Sequence, residues 1–293
     1  MAQHHEQGVL SCSRLTGEQL REAEQLAELC NRLEGLDLPL DFEPVEVGSG
    51  AQAGQFLYYE RGSLVGFASL EGITDPELCG MVHPDHRRKG IGRALLAAAL
   101  EECRSRGLRS LVLACDQACP AGSAFASAVG ARYLDSEYRM LLDPRSVDRS
   151  RPRHDGLVMR QASAQDAGAI ARIVAAAEGV REDAAGRSVE RRMRDPNQRY
   201  FISALQSEPV GTLRVSRHDP SVYIATFAVL PAHQGRGYGR QMLLDTVDLL
   251  LAERRDNIRI EVETDNHNAP SLYRSCGFRE TSTYDYYLIE WAH

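Results

Sequence analysis

Apolar positions along this 293-residue chain alternate between period two and period 3.6, which marks strands interleaved with amphipathic helices. Leu20, Ala23, Leu26, Ala27, Cys30 and Leu33 recur at helical spacing behind a cap-like Thr16-Gly17-Glu18-Gln19 and stop at Gly35. Gln55–Glu60, Leu64–Leu70 and Leu78–Val82 predict a three-strand meander turning at Arg61-Gly62-Ser63, and a helix Gly92–Arg106 and a strand Ser110–Cys115 follow. Residues 1–13 read as a loose leader, and 36–54, rich in Gly, Pro and acids, predict no element. The polar run Asp143–Asp155 reads as a linker. Beyond it come a strand Leu157–Gln161, a Ser163-x-x-Asp166 capping pattern opening a helix through Ile170, Ile173 and Val174, and a short helix Val189–Met193 stopped at Asp195-Pro196. Strands Tyr200–Leu205, Val210–Val215 and Tyr223–Val229 then precede an apolar helix from near Arg240, a strand Asn257–Thr264, a helix Ala269–Ser275 and a strand pair within 282–291.

The stretch with the most chemistry is the junction of the Tyr223–Val229 strand with the helix after it. Gln234-Gly235-Arg236-Gly237-Tyr238-Gly239 forms a tight turn, and the first N–H groups of the next helix have no partner within it. The helix dipole adds about half a positive charge there, so a phosphate suits the turn. Gly237 and Gly239 let the backbone approach it, and Arg236 and Arg240 add charge.

The same turn occurs earlier. Val82 through Leu96 aligns without gaps to Val229 through Leu243, displaced by 147 residues, with Val82, Pro84, His86, Gly90, Gly92, Arg93 and Leu96 identical to their counterparts. A displacement of half the chain length indicates duplicated domains. Both copies fit (Arg or Gln)-x-x-Gly-x-Gly after a strand ending in Val-x-Pro, and this resembles the acetyl-CoA signature of the GCN5-related N-acetyltransferase (GNAT) superfamily. The resemblance implies an α/β (α+β) protein of two tandem domains, each a mixed, mostly antiparallel twisted sheet flanked by helices. The expected domains are 1–143, a linker 144–155, and 156–293. It further implies that acetyl-CoA lies against Phe227, Ala228 and Val229, the turn Gln234, Gly235, Arg236, Gly237, Tyr238, Gly239 and Arg240, and Asn266. In the first copy the matching residues are Val82, Arg87, Arg88, Lys89, Gly90, Ile91, Gly92 and Arg93.

The run Asp265-Asn266-His267-Asn268-Ala269-Pro270-Ser271-Leu272-Tyr273 through Gly277-Phe278 is similar to a second segment of that family, whose Tyr donates a proton to the departing thiolate. Tyr273 suits that role, since a phenol near pKa 10 protonates a thiolate near 8.5 at an uphill cost of only roughly 2 kcal/mol. Packing against Phe278 is its purely structural alternative. The first copy has Ala126 at the Tyr273 position and Cys119 at the Asn266 position, so it is read as non-catalytic, either still binding CoA or serving as a structural half.

An alkyl amine is almost wholly protonated at neutral pH, and stripping that proton costs roughly 4 kcal/mol. Glu261 and Glu263 share one face of the Asn257–Thr264 strand, and Glu263, nearer Asn266, is the favoured base. The main-chain N–H of Val229 or a neighbour, where the strand splays, is the expected donor to the acetyl oxygen.

Composition narrows the partners. The net charge is -7, with 14 Lys and Arg against 21 acids up to residue 147 and 20 against 20 after it. No basic tract lies outside the turns, which disfavours nucleic acid. No apolar run reaches the roughly 18 residues of a membrane span, so a cytoplasmic monomer or homodimer is expected. Seven cysteines without paired spacing argue for reduced thiols and no metal. Among tandem members of the family, the layout resembles the mycothiol synthases, whose C-terminal half works, although Tyr223 stands where those enzymes carry an acid. The expectation is therefore an N-acetyltransferase using acetyl-CoA on a small-molecule primary amine. A non-catalytic acyl-CoA-binding protein and an enzyme for protein or peptide amines are the alternatives.

Overall fold

The computed structural model describes residues 7–36, 53–72, 76–150, 153–218, 221–264 and 269–291. The chain divides into two compact units, Met1–Glu137 with Ser282–His293, and Tyr138–Thr281. These bounds differ from the halves 1–143 and 156–293, because the final residues belong to the first unit and the supposed linker to the second.

In the first unit, β1 (Gln7–Cys12), β2 (Gln55–Glu60), β3 (Ser63–Glu71) and β4 (Glu77–Val82) form an antiparallel series. β5 (Ser110–Asp116) runs parallel to β4, and the Tyr284–Glu290 portion of β12 (Phe278–Glu290) pairs antiparallel with β5. The leader residues thus supply a strand, held by six register pairs to β2. α1 (Gly17–Glu34) opens on a capping box between Thr16 and Gln19 and closes on Gly35 at φ 68°, as its sequence predicts. It covers one sheet face through Ala23, Leu26 and Cys30. α2 (Ile91–Ser105) covers the other through Ile91, Leu95, Leu96, Ala99 and Cys103. α3 (Pro120–Ala128) and β6 (Arg132–Leu142) lie in stretches for which the pattern predicts no element. Small residues fill α3, and its periodicity is correspondingly faint.

In the second unit, β7 (Leu157–Gln161), β8 (Gln198–Leu205), β9 (Glu208–His218) and β10 (Ser221–Val229) are antiparallel, β11 (Ile258–Glu263) runs parallel to β10, and β6 follows β11. α4 (Ala167–Glu178) and α5 (Glu182–Met193) cover one face, where Ile170, Val174 and Val189 pack on Tyr200 and Ile202. α5 starts seven residues ahead of the predicted Val189, on a polar run whose buried stripe is only Ala185 and Val189. α6 (Tyr238–Ala252) and α7 (Ala269–Ser275) cover the other face with Met242, Leu243, Val247, Leu250 and Tyr273 against Leu213, Ile224 and Ile260. β12 is a single strand of 13 residues where two were expected.

The run 144–155 is no free linker. Arg153 pairs with Asp245 and Asp248, Arg149 with Asp248, and the main-chain N–H of His154 donates to Gln241, so its described residues lie along α6.

Candidate active site

Strands β10 and β11 pair in parallel only from Val222/Ile258 to Ile224/Ile260. At the level where they part, β10 carries a bulge: Ala225 faces Arg214 and Ala228 faces Thr212, one residue out of step, and Thr226 sits at φ 45°. A β-branched residue in the left-handed region is a backbone outlier of the kind that clusters at active sites. The parallel pairing to β11 ends at Ile224, so the bulge at Thr226–Phe227 falls in the splayed stretch that runs on to Val229, whose pairing with Gly211 is to β9 on the other edge.

Register separates the two faces at this gap. Phe227 and Tyr273 lie on the α6 side, their ring centroids 6.1 Å apart, and Tyr273 is 6% exposed. Burial pushes the Tyr273 phenol above its ordinary range, with the neighbouring Cys276 thiol adding to it, so the hydroxyl stays protonated. On the opposite face, under α4 and α5, the sheet presents Arg214, Glu261 and Glu263, because Ile258, Ile260 and Val262 alternate toward α6. Both carboxylates of the strand are exposed, but Glu261 is paired with Arg139, Nε to carboxylate 3.1 Å, whereas Glu263 has no ion pair among the described residues. The sequence offered no sign of Glu178, at the end of α4. Loss of surrounding water raises its carboxyl most, the Arg192 charge lowers it, and the Glu263 charge raises it, so Glu178 titrates above its ordinary range in the field of both an arginine and a second carboxylate.

The turn has the shape an anion needs. Gly235 and Gly237 adopt φ 71° and 84°, Gly237 caps α6, and the first intrahelical bond shown is Gln241 N–H to the Gly237 carbonyl. A Cβ on Gly239 would lie 3.3 Å from the Phe227 ring, and one on Gly237 3.0 Å from His154 Nε2. The cradle is therefore main chain, and it fits the pyrophosphate of acetyl-CoA. Tyr238 shapes it from within, with its ring edge-on to His154 at 5.0 Å. Asn266 lies outside the described residues.

Several predicted cofactor side chains have other partners. Arg240 is 8% exposed and turns to the Ser275 carbonyl at 3.1 Å and to Asp148. Its counterpart Arg93 donates to the Ala128 carbonyl at 2.8 Å, and Ala128 and Ser275 are themselves 147 residues apart. The repeated arginine thus ties the end of α3 or α7 to the helix above the turn. Likewise Arg87 Nε donates to the Val82 carbonyl and Gln234 Nε2 to the Val229 carbonyl, so this pair locks each turn to its strand. Arg87 also forms a bidentate pair with Glu34, at 2.6 and 2.7 Å. These residues position the cradle, and Arg88, Lys89 and Arg236 remain as cations of the turns.

The first unit repeats the splay, since β4 and β5 pair only at Glu77/Val112 and Leu78/Leu113. It lacks the bulge: β3 and β4 stay in register from Gly66/Val82 to Glu71/Glu77. Gly80 and Ala126 stand where the second unit has Phe227 and Tyr273. A cavity of about 430 Å³ opens there, lined by Gly80, Val82, Arg88, Gly92, Leu113 and Phe125 among others. Among the described residues no three His, Cys, Asp or Glu side chains gather as for a metal ion, and no helix is long and apolar enough to cross a membrane.

The sequence profile of the Acetyltransferase (GNAT) family matches residues 21–126 and 169–278. The mycothiol acetyltransferase of Kineococcus radiotolerans is 30% identical over 281 residues, covering 88% of this chain and 89% of that protein. That of Clavibacter michiganensis is 30% identical over 215 residues, covering 69% and 68%. Among solved structures, a GCN5-related N-acetyltransferase from Sphaerobacter thermophilus superposes with a TM-score of 0.77 at 16% identity, covering 96% of this chain and 95% of that one. A tandem GNAT protein from the clavulanic acid biosynthesis pathway gives 0.71 at 20% identity, covering 97% and 98%. With the family matched in both halves of the chain and each half built around the same splayed strands and glycine turn, this protein belongs to the GNAT acetyltransferase family as a tandem N-acetyltransferase.

Proposed function

We propose that the second unit moves an acetyl group from acetyl-CoA to a primary amine of a small molecule by direct attack. The observation that carries this reading is the two-sided gap beyond the Ile224/Ile260 pair, with a protonated phenol on the α6 face and the Glu263 and Glu178 carboxyls toward the α4 and α5 face. Acetyl-CoA, when bound, supplies a thioester carbon for the amine and a thiolate as leaving group. The main chain of Gly235 through Gly239 holds the pyrophosphate, and the bulge at Thr226–Phe227 supplies main-chain donors for the acetyl oxygen. Glu263 and Glu178 draw in the ammonium form and accept its proton, directly or through water. Tyr273 gives its proton to the sulfur. Burial makes the phenol a weaker acid, but a thiolate in the same dry site is raised as well, so the roughly 2 kcal/mol gap between them is kept small.

The first unit, in this reading, holds acetyl-CoA through Arg88, Lys89 and the main chain of Gly90 to Arg93 without turning it over, since it has neither phenol nor bulge. Calorimetric titration with CoA tests this: two sites per chain support it, and one site removes it. The two mycothiol acetyltransferases, each matched over more than two thirds of its length, favour a small-molecule acceptor by their names. A protein amine is the second reading, favoured by a 43% identity to the N-alpha-acetyltransferase RimI of Mycobacterium tuberculosis, over 70 residues and 42% of that protein. Thiol release from acetyl-CoA, measured against small amines and against peptides with free N-termini, decides between them. Release with peptides alone would overturn the small-molecule reading.

A further inference from the structure

The α4 and α5 face of the second unit carries, beside its two carboxylates, a set of hydrogen-bond donors that the mechanism leaves unused. Arg214 on β9 stands directly opposite Tyr200 on β8 and Ala225 on β10, so all three share that face at the level of the bulge. Its Nε donates to Thr226 Oγ1 at 3.2 Å and its Nη1 to Gln198 Oε1, while Nη2 has no bond among the described residues. No carboxylate forms an ion pair with Arg214 among the described residues; the guanidinium is partly desolvated, Arg192 of α5 adds a like charge, and the Asp195 carboxylate acts on it only as the weakest of the charges around it. Arg192 donates to the Ser188 hydroxyl at 2.8 Å, and its charge also acts on Glu178, whose pKa it lowers. The Tyr200 hydroxyl is buried without a hydrogen-bond partner among the described residues, in a residue 2% exposed.

A buried hydroxyl and a guanidinium short of acceptors are costly unless something satisfies them, and natural proteins rarely leave them so. The two guanidinium groups can only donate, and the Tyr200 hydroxyl has a proton to give as well as lone pairs, so an oxyanion satisfies both kinds of group. The carboxylates Glu178 and Glu263 supply the opposite polarity on the same face. An acceptor fitting both carries an ammonium group and an anion in one molecule.

We propose that Arg214, with Tyr200 and Arg192, selects an acceptor bearing a carboxylate beside its amine, the anion bridging Arg214 Nη2 and the Tyr200 hydroxyl while the amine faces Glu263. The inference rests on the second unit being a small-amine acetyltransferase and names the class of its substrate. Arg214 is then a specificity residue that also steadies Thr226.

The test is steady-state thiol release by the full-length protein with acetyl-CoA and acceptors matched in pairs, an ω-amino acid and its primary amide, so that the amines have similar basicity. The expected result is a kcat/KM at least tenfold higher for the carboxylate of each pair. In Arg214→Gln that ratio should fall toward one, through the KM of the carboxylated member. Tyr200→Phe keeps the packed ring and should lower the ratio severalfold. Equal use of both members, or a ratio that survives both substitutions, overturns the proposal and leaves the small-amine reading standing. Loss of both members in equal proportion on Arg214→Gln assigns that residue to the bulge alone and also overturns it. No thiol release with any small acceptor overturns the small-amine reading, and the proposal with it.

Discussion

At the scale of single residues, the proposed chemistry at the gap divides between one acid and a pair of bases. Tyr273→Phe removes the proton donor and little volume, so kcat should fall on the order of a hundredfold with the KM for acetyl-CoA nearly unchanged, as steady-state thiol release would show. Glu178 must be unprotonated to act as base, and its pKa lies above the usual carboxylate value, so kcat/KM falls as pH drops through that raised value. Glu263→Gln deletes one of the charges that raises it. The acidic limb of the pH profile should then move to lower pH while kcat declines, and a limb that stays in place would remove Glu178 from the mechanism. Tyr273 was legible because its motif is local and lies next to Gly277-Phe278. Glu178 and Arg214 were not, since a lone acid at a helix end and a lone arginine in a strand look solvated until the fold shows what surrounds them.

At the scale of elements, the repeated identities have two origins. The glycines serve the turn: Gly237→Ala would put an L side chain at φ 84°, a conformation costing about 1–2 kcal/mol, and the KM for acetyl-CoA should rise severalfold. The arginines serve the packing of the short helix behind it. Arg240→Ala deletes charge-assisted bonds to Ser275 and Asp148 from a site 8% exposed, at a cost of roughly 2–3 kcal/mol. A loss of this size lowers the melting temperature by several degrees in a domain of such length, as calorimetry would register. A rise in the KM for acetyl-CoA without any thermal effect would return Arg240 to the phosphate site. Sequence alignment of the repeat found these positions but could not separate the two roles, because an arginine beside a phosphate turn looks the same whether it points in or away.

At the scale of the whole chain, each unit is assembled from segments distant in sequence. The first draws its strand beside β5 from residues after Ser282, held by seven register pairs. Ending the chain at Thr281 should therefore unfold the first unit, seen as rapid proteolysis of residues before Glu137, although the cut lies beyond the second glycine turn. Resistance of those residues to protease in the shortened chain would count against that assignment. The sequence alone determined most of the elements, with β1, α3 and β6 the exceptions, together with the duplication, the two glycine turns and the motif around Tyr273, because period, caps, glycines and short motifs act within a few residues of one another. Only the tertiary structure decided where β10 leaves register, which way Arg87, Arg93 and Arg240 point, that Glu261 is consumed by Arg139, and which unit owns the last strand. Those outcomes depend on long-range strand pairing and on competition among distant partners for the same donors, which no local pattern records.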